Sequence, residues 1–78
     1  MARFPSMKAA DLLAVLARAP LSYSTVRRKG GSHRKLESPV YPPLIFAFHD
    51  GQTIPPGLVR KILTKDVGLS DEEAVGLL

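Results

Sequence analysis

The sequence predicts an α+β fold: a three-stranded antiparallel sheet with helices on one face, in the order α-β-β-β-α, closed by a short terminal helix. Three observations carry this. A stripe of alanine and leucine recurs at helical spacing near the start, "LIFAFH" alternates with period two in the middle, and a second helical stripe follows "PPG". Three strands flanked by two helices bury their apolar surfaces most simply as a two-layer sandwich. One sheet face then packs on the helices, and the other is left to solvent or a partner.

The elements follow in order. Ser6 is placed to cap a helix from about Met7 to Ala19, whose Ala9, Leu12, Leu13 and Leu16 fall at i, i+3, i+4 and i+7. Pro20 stops it. "LSYSTVRRK" reads as the first strand, Gly30-Gly31 as a turn and "SHRKLE" as a mostly polar second strand. The prolines of "SPVYPP" deny that segment regular structure. In "LIFAFH", Leu44, Phe46 and Phe48 share one face, and Ile45, Ala47 and His49 the other. Asp50-Gly51 ends this strand. A second helix is expected from about Pro56 to Lys65, with Leu58, Val59, Ile62 and Leu63 inward and Gly68 as its stop. Ser70 and Glu73 form a capping-box pattern for a third helix, Asp71 to Leu77.

Composition narrows the function classes. Residues 1–78 are read as one domain, since 78 residues leave no room for a second core. An apolar fraction of 45% excludes a highly charged disordered chain. With no cysteine, disulfides, thiol nucleophiles and cysteine-ligated zinc are excluded, and a reducing cytoplasm fits. No apolar run approaches the roughly 20 residues of a membrane helix, so no membrane partner is expected. Charge is unevenly placed. Residues 1–65 carry all eleven Lys and Arg against Asp11, Glu37 and Asp50, a balance of +8, and residues 66–78 carry −4. A basic body with a short acidic tail favours a polyanion such as nucleic acid.

The densest basic stretch is "VRRKGGSHRK", with Arg27, Arg28, Lys29, Arg34 and Lys35 around His33 and no acid. By itself it supports three readings: a solvated hairpin, a phosphate grip, or a site where His33 does chemistry on a phosphate backbone. Metal and cofactor chemistry find no pattern. His33 and His49 are sixteen residues apart, no helix carries HExxH, and Gly30-Gly31 is followed by no GK[ST]. No metal, cofactor or small-molecule substrate is therefore expected. RNA fits a lone histidine among cations. Its 2′-OH attacks the adjacent phosphorus once a base takes the proton, and imidazole, titrating near 6.5 when free, serves that role. Cations stabilise the added charge on phosphorus, and glycines permit close approach of a phosphate. Tyr23 and Tyr41 suit structural roles better than base stacking.

These residues, taken together, resemble the HicA (YcfA-like) family of bacterial toxins from type II toxin–antitoxin pairs. The likeness covers nearly the whole chain. It begins at "MKAADLLAVL", with residues 1–6 as an extension ahead of the usual start. It continues through the Gly31-Ser32-His33 signature and resumes at "FAFHDGQTIPPGLVRKIL". "DVGLSDEEAVGLL" is similar to the ending of a subset of members, and "SPVYPPLIFAF" is longer and more apolar than in short members. The resemblance implies a double-stranded-RNA-binding-domain-like fold and a cytoplasmic, metal-independent endoribonuclease that cleaves mRNA and inhibits translation. It implies a HicB-type antitoxin as protein partner. The family's catalytic histidine corresponds to His33, and His49 stands where members often have a second one. Arg27, Arg28, Lys29, Gly31, Ser32, Arg34, Lys35 and His49 are then the expected RNA contacts. A second proton carrier would come from Lys29, Arg28 or His49. Two other readings remain: a non-catalytic RNA-binding module of the same fold, and a basic protein-interaction domain.

Overall fold

In the computed structural model, residues 3–29 and 33–78 are described. The main sheet has the order β2-β3-β4, formed by β2 (Ser24–Lys29), β3 (His33–Glu37) and β4 (Leu44–Ala47), antiparallel throughout. A small second ladder pairs β1 (Met7–Lys8) with β5 (Thr53–Ile54). The helices are α1 (Ala9–Ala17), α2 (Pro56–Lys61) and α3 (Asp71–Gly76). The fold is α+β and agrees with a double-stranded-RNA-binding-domain-like sandwich.

The core lies between the helices and one face of the sheet. Leu12 and Leu16 of α1, Val59 of α2, and Leu36 and Phe46 of the sheet are all at most 1% exposed. Phe4 packs against this cluster from the chain's start. No side chain of β2 from Ser24 to Arg28 is buried. The helices therefore cover β3 and β4, and β2 from Ser24 to Arg28 overhangs them with both faces open.

Several boundaries differ from the sequence-based expectation; among them, the first helix ends at Ala17 and not Ala19, and β4 ends at Ala47, short of Phe48 and His49. The first helix starts at Ala9, with Lys8 and not Ser6 at its N-cap and no capping side chain. The reason is that Met7 and Lys8 pair with Ile54 and Thr53, and the first helical donors find carbonyls elsewhere. The Ala9 N–H donates to Gln52 O (2.8 Å) and the Ala10 N–H to Asp50 O (3.1 Å). A turn forty residues away thus does what a capping side chain would do.

The first strand starts at Ser24, not Leu21. Ser22 is left-handed (φ 54°), which breaks an extended run. Leu21 and Tyr23 fall into the core instead. The Tyr23 hydroxyl donates to Pro42 O at 2.6 Å, which ties the proline-rich loop to the core. Burial, aided by Tyr41 and Asp66, raises the Tyr23 pKa above its ordinary value.

The expected second helix is α-helical only to Lys61 and then widens into a π-helical turn, Ile62–Asp66. Thr64 Oγ1 donates back to Arg60 O (2.7 Å), and the Val67 N–H reaches Ile62 O (3.0 Å). Leu58, expected inward, is 39% exposed, because the helix begins at Pro56 with Val59 directed into the core. Gly68, at φ +97°, supplies the left-handed residue that lets the chain turn and seat Leu69.

The third helix matches expectation closely. Ser70 Oγ accepts from the Glu73 N–H (3.1 Å), and Glu73 Oε1 accepts from the Ser70 N–H (3.0 Å). The Ser70 N–H, and after it the Ser70 side chain, hold the Glu73 carboxyl below its ordinary pKa of 4.5. Ser70→Ala is expected to lower stability by about 1 kcal/mol at neutral pH, measured by thermal denaturation. A depressed carboxylate contributes stability above its unfolded-state pKa and loses it as pH falls through the folded-state value. The gap between wild type and Glu73→Ala should therefore narrow as pH falls below about 4.5; an equal gap at neutral and acid pH would remove the Glu73 carboxylate from the explanation.

Candidate functional site

Alternation along β3 sorts the basic stretch into two faces. His33 and Glu37 are exposed and Lys35 is half-buried, whereas Arg34 and Leu36 are buried. His33, Lys35 and Glu37 thus lie on the outer, helix-free face. The ladders align Arg27, Lys35 and Ile45 in one cross-strand row, and Arg28, Arg34 and Phe46 in the next. His33 pairs with Lys29 on one side and Ala47 on the other.

A break in register between Thr25 and Arg27 makes Val26 the extra residue of a β-bulge. Beyond the bulge, Arg27 stands opposite Lys35, and together with His33, Arg34 and Ile45 they line a hollow of about 200 Å³. Lys35 Nζ also lies 3.6 Å from Glu37 Oε2 along the strand. Among the described residues, the His33 side chain makes no hydrogen bond and is open to solvent.

The five cations are therefore not one patch. Arg34, expected on the RNA-gripping surface, is 8% exposed and its Nη2 donates to Asp50 Oδ1 at 2.9 Å. The physical reason is the strand's period of two: with His33 outward, its neighbour must turn inward. Arg28 sits in Arg34's row, on the side of the hairpin away from His33, and stays exposed because β2 overhangs the helices. Arg27 and Lys35 share the face of His33. For Lys29 the ladder gives its pairing with His33. Gly31 and Ser32 lie outside the described residues.

His49 is exposed in the turn after β4, two residues beyond the partner of His33. Three contacts lock that turn. The His49 N–H donates to Gln52 Oε1 (3.3 Å), the Gln52 N–H to His49 O (2.9 Å), and Asp50 takes the Arg34 guanidinium. The residue after His33 thus holds the residue after His49. Sequence reading missed this pair, although strict alternation from His33 already directs Arg34 inward.

Removing Asp50 tests that tie. Its side chain is 63% exposed while that of Arg34 is 10% exposed, so screening keeps the pair weak and the cost falls on the less hydrated guanidinium. Asp50→Ala should cost about 1 kcal/mol in urea denaturation, and nothing further in an Arg34→Met background. Additive losses would show that the two do not act as a pair.

A second basic hollow, about 280 Å³, is lined by Gly57, Arg60, Lys61, Thr64 and Lys65. Its cations are already engaged in part. Arg60 binds Asp71 through two bonds (3.1 and 3.0 Å), which raise the Arg60 pKa, and Lys61 Nζ is 4.0 Å from Asp66 Oδ1. Among the described residues, no three His, Cys, Asp or Glu side chains gather as a metal site, and no helix is long and apolar enough to cross a membrane.

Comparison with known proteins adds one match. No curated protein and no solved structure was found to match. A family profile described as the HicA toxin of bacterial toxin–antitoxin pairs matches residues 9–69, which span α1, the whole sheet, α2 and the approach to α3. The chain belongs to the HicA family, the toxins of bacterial toxin–antitoxin pairs.

Proposed function

We propose that this toxin is a metal-independent endoribonuclease that cleaves mRNA in the bacterial cytoplasm and so inhibits translation. We also propose that a HicB-type antitoxin restrains it by covering the outer face of the sheet. The observation that supports this best is the placement of His33. It is an open imidazole on the helix-free face, at a hollow it shares with Arg27 and Lys35.

In this reading His33 acts as acid or base at the 2′-OH/phosphate centre. As base it takes the 2′-OH proton; the 2′-oxygen bonds to phosphorus and the P–O5′ bond breaks. The 5′-oxygen then collects a proton from a second group. Arg28 is a poor second group, because its row faces away from His33. His49 and Lys29 remain, with His49 set on a turn that Arg34 and Asp50 lock. Arg27 and Lys35 neutralise the phosphate as charge builds on it. Arg34 positions the turn and does not grip RNA.

The test is incubation of purified protein with end-labelled single-stranded RNA, with and without EDTA. Cleavage that persists in EDTA and leaves a 2′,3′-cyclic phosphate and a 5′-hydroxyl supports the mechanism. Binding that falls steeply with salt, with no cleavage, would leave a non-catalytic RNA-binding toxin.

A further inference from the structure

The outer face of the sheet is not uniformly basic. Ile45 stands in it, 60% exposed and opposite Lys35 in the ladder. Its neighbours Leu44 and Phe46 are buried, so alternation holds Ile45 outward and rigidly based. It is the one aliphatic side chain lining the hollow that Arg27, His33, Arg34 and Lys35 complete. A single exposed isoleucine is ordinary. This one lies in a concavity, beside an open imidazole and between cations.

A bare polyphosphate would need only the cations. A nucleotide also carries a ribose and a base with apolar faces, and single-stranded nucleic-acid sites combine a positive groove with a surface on which those faces rest. In a duplex the base faces are stacked on one another, so proteins meet chiefly backbone and groove edges. A platform within a hollow of about 200 Å³ is therefore reached only by an unstacked nucleotide.

We propose that Ile45 is the platform for the base beside the scissile phosphate, and that it makes unpaired RNA the substrate. This rests on the ribonuclease reading above and adds the contact that selects the strand state. The nucleotide lies with its base face against Ile45, its 2′-OH toward His33 and its phosphate toward Arg27 and Lys35. Ile45 is a binding residue here; it handles no proton.

The chain has no tryptophan, so Ile45→Trp places a unique fluorophore on the platform. Its emission should be quenched by a short single-stranded 2′-O-methyl oligoadenylate, which cannot be cyclised. Neither the matched duplex nor inorganic polyphosphate should quench it. Val40→Trp, on a side chain 76% exposed and outside the hollow, should not respond. Ile45→Ser should lower kcat/KM on single-stranded RNA by about tenfold. Equal quenching by polyphosphate would overturn the inference, as would a response to the antitoxin but not to the oligonucleotide. The two readings fail separately. If RNA is never cut yet the oligonucleotide quenches Trp at position 45, the platform stands and the ribonuclease falls. If RNA is cut and Ile45→Ser cuts at the wild-type rate, the platform falls alone.

Discussion

His33→Ala is expected to lower kcat/KM on single-stranded RNA by about 10²–10⁴-fold, the usual worth of one positioned proton-transfer group. The same change should leave the melting temperature nearly where it was. The imidazole is exposed at the start of β3 and makes no hydrogen bond among the described residues, and such surface changes usually stay within about 0.5 kcal/mol. Loss of activity without loss of fold is the signature of a reacting group. Arg27→Ala and Lys35→Ala should behave differently. Each removes a phosphate contact, so each should raise KM more than it lowers kcat, and flatten the dependence of log affinity on log salt by about 0.7 per contact. Growth arrest on expression should vanish for His33→Ala and weaken for the arginine and lysine variants. Full cleavage by a folded His33→Ala protein would sink the catalytic assignment.

The parts of the fold that were legible in the sequence are those decided by near neighbours. The α3 capping box is written in Ser70 and Glu73, three residues apart, and forms as read. The faces of β4 follow from period-two alternation in "LIFA", with Leu44 and Phe46 buried and Ile45 and Ala47 exposed. What was illegible depends on distant chain. The start of α1 is set by carbonyls of Asp50 and Gln52 and by pairing with β5, none of which Ser6 could announce. The widening of the second helix at Ile62 has no counterpart in its apolar spacing. The site shows the same division. His33 was singled out by its company of cations, and it lies exposed at the start of β3. That company hid the burial of Arg34, because cations adjacent in sequence look like one patch while a strand deals them alternately to opposite faces.

Phe46→Ala should produce the largest loss of stability among core substitutions in the sheet. Phe46 is wholly buried and is the largest of the fully buried side chains. It meets Phe48 edge to face, with ring centroids 5.3 Å apart and planes at 67°. Truncating such a ring leaves a cavity and costs about 3–5 kcal/mol. A chain of 78 residues has roughly 4–12 kcal/mol to lose, so a substantial unfolded population is expected at growth temperature. Phe46→Leu keeps most of the volume and should cost under about 1.5 kcal/mol. Phe46 also stands opposite Arg34 in the β3–β4 ladder, so its loss loosens the strand that carries His33. Expression of Phe46→Ala should therefore fail to arrest growth, as His33→Ala does, but for another reason. Urea denaturation separates them: a midpoint shifted far down for Phe46→Ala, unchanged for His33→Ala, and shifted slightly for Phe46→Leu with toxicity kept. A wild-type midpoint for Phe46→Ala would mean that the helices do not press on this face of the sheet. The outer face would then no longer be the open one on which His33, Arg27 and Lys35 can meet RNA.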